Sequence, residues 1–208
     1  MTEPRARRGL VPLEIAFVLA IAVTPWPDGL PVGIPLVVAA SVCRWLRGRS
    51  WAEVIAGGRD KALVGAAAGV LALGLALLLG TPVIEAMAAR GVEWSRFPIV
   101  RGSMQQMAVV VVLVSIGALA AELAFRGWLV ERVLELSPGP PVLPVLVGAL
   151  AEAIVMPGDF ATRVGAGLFG VGLGWMYVAS GRSVIAPILA RVAFVGGAVV
   201  LEALRVIG

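Results

Sequence analysis

The sequence predicts an all-α membrane protein, a polytopic bundle of about seven transmembrane helices, with six to eight compatible with its length. Two observations predict this class. Hydrophobic residues make up 60% of the chain, charged residues make up 14%, and the mean hydropathy is +0.98, which is far from the composition of soluble domains. Long apolar stretches also alternate with short polar breaks along all 208 residues. We therefore expect a single membrane domain, residues 1–208, without a separate soluble domain.

The first half of the chain predicts three spans, at residues 10–23, 30–43 and 62–83. A basic N-terminus followed by an apolar stretch is also the pattern of a signal peptide, but Glu14 within that stretch favours an uncleaved first span. A turn is predicted at residues 25–29, which are rich in proline. The basic segment 44–61 contains two tryptophans and is predicted to lie along the membrane interface.

The second half predicts four further spans, at residues 104–136, 142–156, 164–179 and 183–207. The first of these is on the order of 50 Å long at 1.5 Å per residue, which exceeds the roughly 30 Å hydrocarbon core. It must therefore tilt or project from the membrane. Breaks that contain Gly or Pro separate the four spans, at residues 137–141, 157–159 and 180–182.

Small and aromatic residues in the spans are predicted to serve packing and anchoring. Gly65 and Gly69 form a G-x-x-x-G pattern that permits close helix contact. Residues 165–170 match the dinucleotide-binding pattern G-x-G-x-x-G, but no predicted strand precedes them, so we interpret these glycines as packing residues too. Trp175 and Tyr177, near a span end, are predicted to belong to an interfacial aromatic belt.

The distribution of basic residues predicts the orientation. Seven spans with a cytoplasmic N-terminus place most of the basic residues on the inner side, as the positive-inside rule requires. Those predicted inside are Arg5, Arg7, Arg8, Arg44, Arg47, Arg49, Arg59, Lys61, Arg132 and Arg182. Those predicted outside are Arg90, Arg96, Arg101, Arg163 and Arg205. Because the abundance of Ala, Val, Gly and Arg is typical of GC-rich bacterial genomes, we predict a multi-pass protein of a bacterial inner (plasma) membrane.

Composition also limits the classes of partner. The net charge of +4 comes from arginines beside the spans rather than from a polar face with interleaved aromatics, so we expect no nucleic-acid binding. The single cysteine, Cys43, forms no internal disulfide and is interpreted as a small apolar filler. The expected partners are the lipid bilayer and a membrane protein or peptide.

Ionisable residues inside predicted spans point to candidate sites, because a charge in lipid needs a partner or a water-filled cavity. Glu122 and Arg126 lie four residues apart on one predicted helix, in the orientation that favours an ion pair. The residues alone leave two interpretations open: a structural pair at the cytoplasmic end of a span, or part of a functional site.

The segment Ala-Glu-Leu-Ala-Phe-Arg-Gly at residues 121–127 resembles the Glu-Glu-x-x-x-Arg motif of the CAAX-protease and bacteriocin-processing (CPBP, or Abi) family of intramembrane metalloproteases. The resemblance covers residues 115–195. The first Glu of the motif falls on Ala121, the second on Glu122 and the Arg on Arg126. Two later family motifs, each with a His, also have counterparts in this region.

The resemblance implies a metal-dependent endopeptidase in which carboxylates and histidines hold zinc and activate water. The implied His positions are Ala151 and Arg191, the implied Asn or Asp position is Val195, and the chain contains 0 His. We therefore expect no bound metal. Arg191 is expected to take the metal's place and pair with Glu122 or with Glu152, because a buried charge needs such a partner.

Three functions remain open from the sequence, so whether the chain is an enzyme stays undecided. The first is a degenerate family member that keeps the fold and serves as a membrane binding or scaffold partner. The second is an active intramembrane endopeptidase with an altered carboxylate site made from Glu122, Glu152 or Asp159, which would suit Mg²⁺ or Mn²⁺ better than zinc. The third is a transporter-like protein with a polar intramembrane path. The residues of that path would be Glu122, Arg126, Asp159, Arg163 and Arg191.

Overall fold

The fold is that of a computed structural model, which describes residues 9–24, 33–80, 82 and 97–207. The described residues are predominantly helical and contain no strand, so the predicted all-α class is confirmed. Several predictions concern residues outside this range, namely the turn at 25–29, the start of the second span, the end of the third, and Arg5, Arg7, Arg8, Arg90 and Arg96.

Eight helices follow one another along the described chain. They are α1 (Val11–Val23), α2 (Gly33–Leu46), α3 (Ala52–Ile55), α4 (Arg59–Gly80), α5 (Met104–Leu136), α6 (Val142–Val155), α7 (Phe160–Ala179) and α8 (Ile185–Ala203). The last turn of α4, Ala76–Gly80, is π-helical. A longer π-helical segment, Leu123–Val130, interrupts α5.

Each of the seven predicted spans corresponds to a helix, and α3 is the additional one. Among the described residues, α4, α5 and α8 are long and apolar enough to cross a membrane, with 22, 33 and 19 residues. The apolar helices α1, α2 and α6 are shorter, with 13, 14 and 14 residues. The chain therefore forms a membrane helical bundle.

Three boundaries differ from the prediction. The segment 44–61 does not form one interfacial piece, because α2 continues to Leu46, α3 is a single turn and α4 already begins at Arg59. The start of α7 is earlier than predicted because the Asp159 side chain caps the helix by accepting a hydrogen bond from the Thr162 amide at 2.9 Å. The end of α8 is earlier because Arg205 adopts a left-handed backbone with φ 58°.

Glycines bring α4 and α8 into close contact, as the G-x-x-x-G pattern predicts. A Cβ atom on Gly65 would collide with the Ala186 carbonyl oxygen, and one on Gly69 would collide with the Ala190 carbonyl oxygen. Only a residue without a side chain lets the two backbones approach this closely. The contact places α8, which carries Arg191, against α4, most of whose residues are not buried.

An apolar core joins α1, α2, α5 and α6. Its buried members include Leu36, Phe125, Trp128 and Ala151. Cys43 is also part of this core and is 5% exposed, which agrees with its interpretation as an apolar filler. The core fixes the middle of α5 relative to α6, and both of these helices carry candidate site residues.

Charged side chains at one end of the bundle show which helix ends lie together. Four of them form what we call the end cluster: Glu14, Arg47, Arg132 and Glu135. These contacts bring the start of α1 beside the ends of α2 and α5. At the opposite end, Arg101 before α5 lies 3.6 Å from Glu202 near the end of α8. The helix ends are therefore grouped as the predicted topology requires, irrespective of which end is cytoplasmic.

Candidate functional site

Four charged side chains from three helices meet inside the bundle and form what we call the buried cluster. Glu122 and Arg126 come from α5, Glu152 from α6 and Arg191 from α8. At 1.5 Å per residue, Arg191 lies about 9 Å from the start of α8 and Glu152 about 15 Å from the start of α6. The cluster therefore lies in the interior of α5 and α8 and near the C-terminal end of α6.

Arg191 bridges the two carboxylates. Its Nε donates to Oε1 of Glu122 at 2.6 Å, and its Nη2 donates to Oε1 of Glu152. The predicted pairing of Arg191 with Glu122 or Glu152 is confirmed, and it involves both residues. The guanidinium also lies over the Phe169 ring, with its carbon 5.7 Å from the ring centroid, a geometry that attracts a cation to the ring face.

Arg126 joins the same two carboxylates from the other side. Its Nη1 donates to Oε1 of Glu122 at 3.2 Å, and its Nη2 lies 2.7 Å from Oε2 of Glu152. The predicted ion pair between Glu122 and Arg126 is therefore present, but as one edge of a closed ring of two acids and two bases. The Glu122–Arg126 pair lies in the interior of α5, whereas the structural interpretation of this pair had placed it at the cytoplasmic end of a span.

Gly170 on α7 completes the surroundings of Arg126. The Nη2 of Arg126 donates to the Gly170 carbonyl oxygen at 2.8 Å. A Cβ atom at this position would lie 3.0 Å from Oε2 of Glu152 and 3.2 Å from Nη2 of Arg126, so a larger residue would require the cluster's side chains or α7 to shift. Gly170 ends the G-x-G-x-x-G pattern, and its role agrees with the interpretation of these glycines as packing residues.

The π-helical segment of α5 contains Arg126 and begins directly after Glu122. A π-helix has an i→i+5 hydrogen-bond pattern and appears mostly where a helix must accommodate an unusual local arrangement, often at a functional site. All residues of the segment are buried. The π-helical segment therefore lies where α5 contributes Glu122 and Arg126 to the buried cluster.

The buried cluster balances its charges almost without solvent. The exposed fractions of the side chains are 0% for Glu122, 1% for Arg126, 4% for Glu152 and 13% for Arg191. Two negative charges face two positive charges, so the net charge is zero. This balance matters because an unpaired charge costs several kcal/mol at such burial.

Besides Arg191, three positions carry a different residue from the one that the family motifs have there, namely Ala121, Ala151 and Val195. All three are close in sequence to members of the buried cluster. Ala151 precedes Glu152 on α6 and is 6% exposed within the apolar core, and Ala121 packs against the same core. Val195 is half-buried on α8, one turn beyond Arg191. Side chains at these positions are therefore apolar neighbours of the cluster rather than members of it.

The donor set of the buried cluster does not fit a zinc ion. Zinc sites in proteins use thiolates, imidazoles and carboxylates around an uncrowded cation position. Here two guanidinium groups contact the two carboxylates, and the chain contains 0 His. Across the described ranges no group of three or more His, Cys, Asp or Glu side chains could hold a metal ion. A metal cation between Glu122 and Glu152 would face Arg191 directly.

The remaining predicted site residues lie elsewhere. Asp159 is exposed and caps α7, and Arg163 is exposed one turn further along the same helix. Neither belongs to the buried cluster. The interpretation of Tyr177 as a member of an interfacial belt was wrong, because its side chain is fully buried and its hydroxyl donates to Oε1 of Glu131 at 2.9 Å. Trp175, in contrast, is 43% exposed.

Sequence reasoning missed the end cluster and the part played by the Gly170 carbonyl. Arg47 donates from Nε to Oε1 of Glu14 at 2.8 Å, and Arg132 donates from Nη1 to both carboxylate oxygens of Glu135 at 2.8 and 2.7 Å. The acidic residues Glu14 and Glu135 at two span ends were the available signal. A backbone carbonyl, however, has no sequence signal of its own.

A family model, that of the type II CAAX prenyl endopeptidases described as Rce1-like, matches the chain over residues 103–196. This range contains all four members of the buried cluster, and it includes the region 115–195 in which the motifs occur. The Rce1-like proteins belong to the CPBP family, so the resemblance to that family is confirmed over residues 103–196. No curated protein and no solved structure matches the chain.

Proposed function

We propose that this chain is a catalytically degenerate relative of the CPBP intramembrane endopeptidases, which keeps the helical bundle, holds no metal and serves as a membrane binding or scaffold partner. Its partner would be a membrane protein or peptide. The observation that carries the proposal is that Arg191 bridges Glu122 and Glu152 at a position where the family motif has a His.

The contacts of the two carboxylates argue against hydrolysis. A carboxylate that activates water or holds a metal must present a lone pair to that group. Oε1 of Glu122 accepts hydrogen bonds from two arginines, and Glu152 contacts the same two arginines. Oε2 of Glu122 accepts no hydrogen bond from the described residues, but a cation bound there would lie beside the same two guanidinium groups. Moving Arg191 aside would leave a charge without a partner in the membrane, at a cost of several kcal/mol. An active enzyme with an altered carboxylate site therefore has less support.

A transporter-like function has less support for a different reason. The polar path predicted for it needs Asp159 and Arg163 to continue the line of charges from the buried cluster. Both residues are instead exposed near the start of α7, while the cluster is closed by direct ion pairs. The charges thus form two separate groups rather than one path.

The proposed location is a bacterial inner membrane with the N-terminus and the end cluster on the cytoplasmic side. Arg44, Arg47, Arg49, Arg132 and Arg182 all lie near this end, and the positive-inside rule assigns such a concentration of arginine to the cytoplasm. Tags accessible from only one side of the membrane, placed after residue 138 and after residue 158, would test the orientation.

A cleavage assay tests the absence of activity. We expect the purified chain to cleave prenylated peptides and bacteriocin-like leader peptides no faster than a Glu122→Ala variant does. Cleavage that depends on Glu122 and is abolished by a chelator would overturn the proposal in favour of the altered enzyme. A chain that retains the fold but shows neither cleavage nor any recoverable membrane partner in cross-linking would leave no support for the scaffold role.

A rebuilt site gives a matched control for that assay. The substitutions Ala121→Glu, Ala151→His, Arg191→His and Val195→Asn would restore the family's side chains on the same helices. Metal binding should then appear, although activity requires the groups to lie within about 1 Å of a productive geometry. A folded rebuilt chain that binds no metal would contradict the assignment of Ala151 and Arg191 to the His positions.

A further inference from the structure

A polar cavity of about 360 Å³ opens beside the end cluster. Its charged lining consists of Arg49, Glu131, Glu135 and Arg182, and the turn that follows α5 closes one side with Pro138 and Gly139. This volume lies at the small end of the roughly 300–1,000 Å³ over which proteins bind small molecules. The cavity is separate from the buried cluster, and neither the family match nor the proposed function assigns it a ligand.

The four charged side chains of the cavity retain part of their exposure. The exposed fractions are 32% for Arg49, 57% for Arg182, 15% for Glu131 and 21% for Glu135. Arg49 lies 3.2 Å from Glu135, and Arg182 lies 3.7 Å from Glu131. Such partly solvated pairs are weak, so a ligand with better hydrogen-bond geometry can compete with them.

The charge pattern of the cavity selects the class of ligand. An anion alone would face Glu131 and Glu135, and a cation alone would face Arg49 and Arg182. A zwitterion meets both requirements, because guanidinium groups bind phosphate oxygens through paired N–H donors and carboxylates accept from a primary ammonium group. Glu135 also pairs with Arg47 and Arg132, which do not line the cavity, so Glu131 is the carboxylate that an ammonium group in the cavity can contact.

The backbone of Arg182 presents its side chain at this cavity. Its φ of 63° lies in the left-handed region, which is uncommon for a residue other than glycine. The amide of Arg182 donates to the Tyr177 carbonyl oxygen at 2.9 Å, which ends α7 at this point. The side chain that follows is the most exposed of the four.

An apolar surface suited to acyl chains begins at the same end of the bundle. On α6, which starts three residues after Gly139, four large apolar side chains recur at helical spacing and are at least half exposed: Leu143, Leu146, Leu150 and Ile154. Residues three or four apart share a helix face, so these four form a stripe along α6. A headgroup in the cavity can therefore belong to a lipid whose chains follow this stripe.

We propose that the cavity binds the headgroup of phosphatidylethanolamine, with its phosphate diester at Arg49 and Arg182 and its ammonium group at Glu131. Phosphatidylcholine carries the same phosphate but no N–H donor on its nitrogen. Phosphatidylglycerol carries the phosphate without any cation. These two lipids separate the contribution of each half of the headgroup.

Native mass spectrometry of the full chain in detergent, titrated with each lipid, tests the proposal. We expect phosphatidylethanolamine to bind about tenfold more tightly than either of the other two, because each loses charged hydrogen bonds or ion pairs. Glycerophosphoethanolamine, which has the same headgroup and no acyl chains, should bind more weakly than the lipid. Equal binding of the three lipids would overturn the proposal. If glycerophosphoethanolamine bound as tightly as phosphatidylethanolamine, the assignment of the ligand as a lipid would be overturned.

Two variants locate the binding, and one serves as a control. Arg182→Gln should weaken the binding of all three lipids, because each carries the phosphate that this arginine is proposed to contact, while Arg163→Gln, an exposed arginine at the other end of α7, should leave their binding unchanged. Glu131→Gln should abolish the preference for phosphatidylethanolamine over phosphatidylglycerol, since the amide oxygen still accepts from Tyr177 but carries no charge to attract the ammonium group. Equal losses of binding in Arg163→Gln and Arg182→Gln, or an unchanged preference in Glu131→Gln, would contradict a site in this cavity.

Discussion

The buried cluster and the end cluster use the same two residue types in different surroundings. In the buried cluster every side chain is at most 13% exposed, and each carboxylate contacts both arginines. In the end cluster the carboxylates of Glu14 and Glu135 are 18% and 21% exposed, and Arg49 joins Glu135 from the surface. The end-cluster arginines Arg47 and Arg132 are themselves buried, at 5% and 1% exposure, so the difference between the clusters lies in their carboxylates. Water reaches the carboxylates of the end cluster and scarcely reaches those of the buried cluster.

The largest expected effect is that of Arg191→Leu. It leaves the buried cluster with two carboxylates and one arginine, and breaking a buried ion pair typically costs about 3–5 kcal/mol because the surviving charge stays unpaired. We expect a large fall in the thermal unfolding midpoint in detergent, or loss of folded protein. Arg163→Leu is the matched control at an exposed position and should change stability by less than about 0.5 kcal/mol. Similar effects of the two substitutions would show that Arg191 does not neutralise the cluster.

Restoring the charge balance should recover part of that loss. Glu122→Leu together with Arg191→Leu leaves Arg126 with Glu152, so the net charge returns to zero. The double variant should be more stable than the sum of the two single effects predicts, by about 1–3 kcal/mol in a double-mutant cycle. Additive losses would mean that the two residues contribute to stability independently.

A substitution at Gly170 tests whether the cluster has room to adjust. Gly170→Ala places a methyl group 3.0 Å from Glu152 and 3.2 Å from Arg126, and overpacking of this kind costs about 1–3 kcal/mol. Gly172→Ala is the matched control on the same helix, because no atom lies within 4 Å of its new methyl group. It should be neutral or slightly stabilising, since alanine favours helix more than glycine does. The prediction is wrong if both variants unfold at the temperature of the unmodified chain.

The smallest expected effect is at the end cluster. Glu135→Gln removes a carboxylate that pairs with Arg47, Arg49 and Arg132, yet partial solvation should limit the loss to about 1–2 kcal/mol. The loss should also shrink as salt concentration rises, because exposed charges are screened. Glu152→Gln should lose more stability and show little dependence on salt. Equal salt dependence in the two variants would remove the distinction between the clusters.

The sequence predicted the helices well because hydropathy and Gly or Pro breaks are local signals. The span predicted at residues 104–136 agrees with α5 at both ends, and its C-terminal end is marked by Ser137, Pro138 and Gly139. The end of α8 was predicted too late, because the left-handed backbone of Arg205 has no signal of the kind that glycine provides. Boundaries set by single backbone angles are therefore harder to predict than those set by composition.

The members of the buried cluster could be predicted, but its arrangement could not. Glu122, Arg126, Glu152 and Arg191 were identified because charges in apolar spans are rare and the family motifs fall on or beside them. That Arg191 contacts both carboxylates, and that the Gly170 carbonyl accepts from Arg126, depend on how α6, α7 and α8 pack around α5. Tyr177 was misinterpreted for the same reason, because its partner Glu131 is 46 residues away in sequence.

The central claim is that Arg191 replaces a metal ion between Glu122 and Glu152. Its most direct test is the zinc content of the detergent-purified chain, measured by inductively coupled plasma mass spectrometry after dialysis, beside that of the rebuilt chain. We expect no stoichiometric zinc in the unmodified protein and a higher content after Arg191→His and the three accompanying substitutions. One tightly held zinc ion per unmodified chain, lost when Glu122 and Glu152 are replaced by Gln, would contradict the claim.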